Sequence, residues 1–166
     1  MKWLAPFSPS QITETLFIGT TPCSRDYALL RALGVTLVIN LRVERPPLPD
    51  FHNPPLRLLW LPTFDTPFVP IPVRALLAGV HAALKAIQNG GKVYVHCAAG
   101  VHRAPALGAA ILIAQGLSVE QAMRLIRERR PLADPYIWYI RRQIERFACA
   151  WKAAQGGNYP QGVIDS

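Results

Sequence analysis

The stretch that most constrains this chain is Val93-Tyr94-Val95-His96-Cys97-Ala98-Ala99-Gly100-Val101-His102-Arg103-Ala104-Pro105. Its first residues are the β-branched and aromatic run of a short buried strand. Its last residues open an apolar helix, and a tight loop joins the two. A strand that passes directly into a loop and a helix belongs to an α/β arrangement. The loop then lies at the carboxyl edge of a parallel strand, where such domains place their sites.

The flanking segments alternate in the same way. Ile12 to Gly19 reads as a strand. Ser24 can cap a helix from Arg25 to Ala32, with Leu29, Leu30 and Leu33 available to the core, Tyr27 at its edge and Gly34 ending it. Val35 to Leu41 has the pattern of a buried strand, and Leu56 to Leu61 that of another. Pro72 or Val73 opens a helix to Gln88, with Leu76, Leu77, Val80, Leu84 and Ile87 forming an apolar stripe. Asn89-Gly90-Gly91 ends it, and Lys92 to His96 is the next strand. Ala106 to Gln115 is a helix. Ser118 and Gln121 form a capping box for a helix to Arg129. Pro131 breaks that helix, and Asp134 and Pro135 open the last one, carrying Ile137, Ile140, Ile144 and Phe147. The pattern predicts a single α/β domain over residues 1–154. Its central, mostly parallel sheet has four or five strands, with helices on both faces. Residues 155–166 are predicted to be a loosely held tail.

Composition narrows the function. The 166 residues are 51% hydrophobic, enough for one core. No apolar run is long enough to span a bilayer. Met1 to Phe7 begins like a signal peptide, but Pro6 and the polar stretch from Ser8 to Thr15 end it early. The C-terminus shows no lipidation box. The expectation is a cytoplasmic protein with no stable membrane anchor. Three cysteines, Cys23, Cys97 and Cys149, are an odd number at irregular spacing, unlike a disulfide framework or a zinc site. Cys23 and Cys149 read as packing residues. The net charge of +8 favours anionic partners. The basic residues nevertheless fall in small groups on helices, such as Arg127, Arg129, Arg130 and Arg141, Arg142, Arg146, the pattern of solvated faces. No interleaved aromatics mark a nucleic-acid groove, so no nucleic-acid partner is expected. Proline concentrates between Arg45 and Pro55 and between Pro62 and Pro72, which makes both segments stiff loops.

The loop after Cys97 is suited to a tetrahedral anion. The N–H groups of Ala98, Ala99, Gly100, Val101, His102 and Arg103 can turn inward, and the following helix aims its N-terminus at the same spot. That field also favours a thiolate. Arg103, after five intervening residues, supplies a planar fork for two phosphate oxygens. Gly100 permits torsions that a side chain forbids. A thiolate under a phosphate ester is placed for in-line attack, giving a phosphocysteine that water removes. The leaving oxygen needs an acid. Asp65, in the loop Pro62-Thr63-Phe64-Asp65-Thr66-Pro67-Phe68 after a strand, is the candidate; Asp50 and Glu44 are weaker competitors. His96 points away from Cys97 and braces the loop by hydrogen bonds. His102 either adds positive charge at the pocket rim or is a solvated loop residue.

The sequence His96-Cys97-x5-Arg103 resembles the signature loop of the cysteine-dependent protein tyrosine phosphatase superfamily. The fuller pattern is similar to the dual-specificity branch, through Leu16-Phe17-Ile18-Gly19, Val38-Ile39-Asn40-Leu41, Phe64-Asp65, and Ile126 to Pro131 followed by Ile140 to Ile144. The resemblance implies Cys97 as nucleophile, Arg103 as phosphate ligand and Asp65 as acid, with no metal or cofactor. It also implies a phosphorylated protein or another phosphate monoester as substrate. Most members have Ser or Thr after the arginine, and this chain has Ala104. The run Cys-x-Ala-Gly-x-x-Arg-Ala-Pro is similar to the phosphatases of regenerating liver, which are associated with slow breakdown of phosphocysteine. The second, regulatory cysteine of that group would fall near Val43 and is absent. Phosphotyrosine is the leading expectation, with phosphoserine and phosphothreonine beside it. The alternatives are a phosphoinositide or small-molecule phosphatase, a rhodanese-like sulfurtransferase and a non-catalytic phosphate-binding protein. The oligomeric state is left open.

Overall fold

A computed structural model describes residues 6–156. The expectations for the amino-terminal run before Pro6 and for most of the tail fall outside those residues. In chain order the elements are β1 (Pro9–Gln11), β2 (Leu16–Gly19), α1 (Asp26–Ala32), β3 (Val35–Arg42), β4 (Arg57–Thr63), α2 (Val73–Gln88), β5 (Lys92–His96), α3 (Arg103–Ala114), α4 (Val119–Arg129) and α5 (Trp138–Gly156).

One five-stranded sheet has the order β1-β2-β5-β3-β4. β2, β5, β3 and β4 run parallel, and β1 adds antiparallel at the edge. β5 lies in the middle of the sheet, with Tyr94 opposite Phe17 on one side and Val38 on the other. Its side chains alternate between faces, as the pleat requires. Val93 and Val95 enter a large core with Leu37, Ile39, Leu76, Val80, Leu107, Ile111, Ile140 and Phe147. Tyr94 enters a smaller core on the opposite face with Phe17, Tyr27, Leu30 and Val38. Helices therefore cover both faces: the long ones lie against the first core and α1 against the second. The prolines agree with this order. Pro62 lies in β4, an edge strand, where a missing N–H costs no ladder bond.

Several boundaries depart from the sequence reading, each for a local reason. The strand beginning at Ile12 is a turn up to Thr15, in which Thr13 Oγ1 accepts from the N–H groups of Thr15 and Leu16. The polar residues before it form β1, whose pairing comes from β2 rather than from its own propensity. Ser24 makes no cap for α1. Instead, Asp26 Oδ2 accepts from Cys23 N at 2.7 Å. Tyr27 is buried, not at the edge, and its hydroxyl donates to Leu48 O at 2.8 Å. Tyr27 and Leu30 share the inward line of α1, which leaves Leu29 exposed. α3 starts at Arg103, ahead of the expected Ala106. α5 starts at Trp138, because Asp134 is spent on a turn in which its Oδ1 accepts from Ile137 N at 3.2 Å. α5 also continues through Gln155 and Gly156, which the sequence reading gave to the tail. Cys149 is exposed on α5 and is no packing residue; Cys23 is half-buried.

Candidate active site

The loop from Cys97 to Arg103 begins at the carboxyl end of β5, and its shape follows from what its carbonyls do. Thr21 Oγ1 donates to Cys97 O at 2.8 Å and Thr21 N to Ala98 O at 3.4 Å. Arg130 donates from Nη2 to Ala99 O at 2.8 Å and from Nε to Gly100 O at 2.9 Å. Asp134 N donates to Val101 O at 2.8 Å, and Ala106 N to His102 O at 3.0 Å. Every carbonyl from Cys97 to His102 is thus held by a donor outside the loop. Among the described residues, no acceptor takes the N–H groups of Ala98 through Arg103. A peptide group whose carbonyl is turned out presents its N–H inward, so the loop is a set of convergent donors. Gly100 sits at φ 68°, and a Cβ there would meet Gly19 O at 2.7 Å and the Arg130 guanidinium at 2.8 Å. Only glycine fits.

Arg103, 3% exposed, is fixed from behind. Its Nη1 donates to Leu41 O and Thr63 O, at the carboxyl ends of β3 and β4, at 3.3 and 2.9 Å. Glu44 takes the end-on edge of the guanidinium, Oε2 on Nη1 and Oε1 on Nη2, both at 3.1 Å. The Arg103 guanidinium holds the Glu44 carboxyl down to about 2. What remains is the side-on edge. Nε is buried without a hydrogen-bond partner among the described residues, and Nη2 keeps a second hydrogen. A planar fork with one free edge is the donor pair that binds two oxygens of a phosphate. Glu44 therefore orients the fork and is not a rival acid. Arg42 steadies Glu44 from the other side at 2.8 Å.

Asp65 sits in the loop after β4, with Oδ2 3.8 Å from Arg103 Nε. Its Oδ1 meets His102 Nδ1 and the Tyr139 hydroxyl, each at 3.1 Å. His102 thus belongs neither to solvent nor to the rim alone. Asp50 lies at the other end of the sheet, where it pairs with Arg31 and accepts from Leu56 N at 2.7 Å. It has no part in the site.

Cys97 is 1% exposed at the bottom of the loop, and His96 precedes it at 2%. His96 Nδ1 lies 3.3 Å from Cys97 O, and its ring stacks on Tyr94 at 5.8 Å. Burial pushes the His96 imidazole down to about 4, so it is neutral at pH 7. Tyr94 in turn donates to Thr20 O.

The structure brings Cys97, Arg103, Asp65, His96 and the loop residues together at one edge of the sheet. It adds Tyr139 and Thr21, which the sequence does not single out, and gives new roles to Glu44, expected as a competing acid, and Arg130, expected on a solvated face. Arg130 was one basic residue of a group. Nothing in the spacing separates it from Arg127 and Arg129, which face solvent.

The family model for the dual specificity phosphatase catalytic domain matches residues 16–147. Mouse dual specificity protein phosphatase 14 is 32% identical over 139 residues, covering 82% of this chain and 67% of that protein. Mouse dual specificity phosphatase 28 is 28% identical over 137 residues, 81% of each. The crystal structure of human DUSP28 superposes with a TM-score of 0.79 at 26% identity, covering 89% of this chain and 97% of that one. The chain belongs to the dual specificity phosphatase family. It is a cysteine-dependent protein phosphatase.

Two outcomes follow from the scaffold. Arg130→Met removes the donors to Ala99 O and Gly100 O; activity on an aryl phosphate should fall at least about tenfold. Arg130→Lys should not restore it, because an ammonium cannot span both carbonyls. Unaltered activity in Arg130→Met would contradict the bracing role. The second concerns pH. The unfolded chain protonates His96 near pH 6.5, whereas the folded chain resists to about 4, so the unfolded state binds the extra proton between those values. Stability present above pH 6.5 should therefore decline as pH falls towards 4, by on the order of 3 kcal/mol from this group. Urea unfolding at stepped pH measures it, and His96→Gln should flatten that part of the profile.

Proposed function

We propose that Cys97, Arg103 and Asp65 hydrolyse phosphotyrosine in proteins, with phosphoserine and phosphothreonine as lesser substrates. The observation that carries this is the set of unpartnered donors, the loop N–H groups and Arg103 Nε, gathered around the thiol at the end of β5. A phosphoryl group gives each of them an acceptor. The Cys97 thiolate attacks phosphorus, an S–P bond forms and the ester P–O bond breaks. The departing oxygen takes the proton of Asp65. Water then attacks phosphorus and gives its proton to Asp65; the S–P bond breaks, returning the thiolate and releasing inorganic phosphate. The inward N–H groups and the fork hold the equatorial oxygens throughout.

The preference for phosphotyrosine rests on the surroundings of Asp65. Phe64, Phe68 and Trp138 are 52%, 90% and 63% exposed beside the acid loop and the first turn of α5. They offer aromatic walls to a phenyl ring and little to a short alkyl ester. The three free cysteines suit a reducing, cytoplasmic setting. Among the described residues no helix is long and apolar enough to cross a membrane.

The central test uses an artificial aryl phosphate. Cys97→Ser should abolish turnover, and residual activity in it would end the mechanism. Asp65→Asn should cost about a hundredfold or more for poor leaving groups and much less for good ones. A second outcome concerns Ala104, buried directly after the arginine. Without a hydroxyl there, the sulfur leaves phosphorus unaided in the second step. Ala104→Ser should raise the steady-state rate about tenfold, with a smaller burst of phenol release. An unchanged burst and rate would place the slow step elsewhere.

A further inference from the structure

We propose that Tyr139 and His102 are positioning residues that fix which oxygen of Asp65 delivers the proton. The inference rests on Asp65 being the general acid. Asp65 Oδ1, the Tyr139 hydroxyl and His102 Nδ1 form a triangle with sides of 3.1, 3.2 and 3.1 Å. His102 Nδ1 reaches Oδ2 as well, at a longer 3.3 Å. Burial and the Asp65 carboxylate push the Tyr139 phenol up to about 12, so the hydroxyl keeps its hydrogen and serves as a donor. Its acceptor is Oδ1.

The consequence is directional. A carboxylic acid in a site can carry its proton on either oxygen. An oxygen that accepts from a phenol and faces a ring nitrogen is the poorer place for it, because a proton there would displace one of those bonds. The transferable proton is thereby confined to Oδ2. Oδ2 is the oxygen nearer the Arg103 fork, 3.8 Å from Nε, and so the one that faces a bound phosphate ester. During the first step the proton passes from Oδ2 to the departing oxygen, and the Tyr139 hydroxyl keeps its hydrogen on Oδ1. In the second step Oδ2 recovers a proton from water.

The triangle also locates the acid loop as a body. The segment after β4 is stiffened by Pro67, Pro70 and Pro72 and closed on itself by the pairing of Thr66 with Val69. Across the site, the Asp65 side chain touches the phosphate loop through His102 and α5 through Tyr139. The His102 and Tyr139 rings meet edge to face at 5.7 Å. The acid is therefore held over the phosphate loop by the chain's own side chains, and His102 couples its position to that loop.

The experiment is a leaving-group series of aryl phosphates, with kcat/KM measured for Tyr139→Phe, His102→Ala, His102→Asn, Asp65→Asn and the doubles with Asp65→Asn. Tyr139→Phe and His102→Ala should lose about tenfold on phenyl phosphate and under about twofold on the most activated ester. His102→Asn, which keeps a donor, should recover part of the loss. In the Asp65→Asn background neither substitution should cost more. In Tyr139→Phe, outside the loop, the rate of alkylation of Cys97 by iodoacetate should stay at the wild-type value, which separates a misplaced acid from a disrupted loop. Equal losses across the series, or losses that add to that of Asp65→Asn, would overturn the proposal. If Asp65→Asn itself shows no leaving-group dependence, the assignment of the acid fails, and this proposal with it.

Discussion

The site depends on one backbone constraint: the carbonyls of the phosphate loop are all satisfied from outside it. Buried peptide groups need partners. Here the oxygens from Cys97 to His102 have them, and the nitrogens of Ala98 to Arg103 have none among the described residues. The asymmetry leaves a ring of donors turned the same way, the arrangement on which the proposed phosphoryl binding rests. The donors that create it come from distant parts of the chain: Thr21 after β2, Arg130 at the end of α4 and Asp134 before α5. The proposed anion site is therefore a property of the closed domain rather than of the signature stretch alone. A peptide of the same sequence would lack the outward restraints and would satisfy its own N–H groups with water.

Two buried guanidiniums divide the work. Arg103 presents its side-on edge to the site while two strand-end carbonyls and Glu44 hold the rest. Arg130 gives four of its five N–H donors to protein, on Ala99 O, Gly100 O, Ser8 O and Ser10 Oγ. The last two lie at and beside β1, which explains why so polar a strand is kept at the sheet's edge. It anchors the guanidinium that shapes the loop. A lysine in either place could not form these planar arrays.

The sequence made the fold legible where local pattern and tertiary demand coincide. Lys92 to His96 and Val73 to Gln88 match β5 and α2 in full, because an apolar run and a helical stripe are divided sharply by Asn89-Gly90-Gly91. The capping box of Ser118 and Gln121 forms with both its bonds. Legibility failed where a residue's role is set by a distant partner. β1 has no propensity of its own, Tyr27 is drawn inward by Leu48 O, and Asp134 gives its N–H to Val101 instead of opening a helix. The site divides in the same way. Cys97, Gly100 and Arg103 are readable because they share one loop. Arg130 and Tyr139 are not, because only the folded chain brings them to it.

The polarity of the parallel sheet sorts the three acids that sequence alone leaves in competition. Asp50 and Asp65 both lie in proline-rich loops beside β4, one before it and one after. The loop before β4 opens on the amino edge, so Asp50 pairs with Arg31 at the end of α1 and with His52 and receives Leu56 N, all away from the site. The loop after β4 opens on the carboxyl edge beside that of β5, so Asp65 meets the phosphate loop. Glu44 follows β3 on this same edge, but β3 lies next to β5, close enough for its carboxylate to seat against the Arg103 fork. A carboxylate engaged end-on by a guanidinium is held ionised and has no proton to give. The strand order thus separates an acid that braces a distant loop, one that orients the arginine and one left facing the thiol loop, the acid proposed for proton transfer.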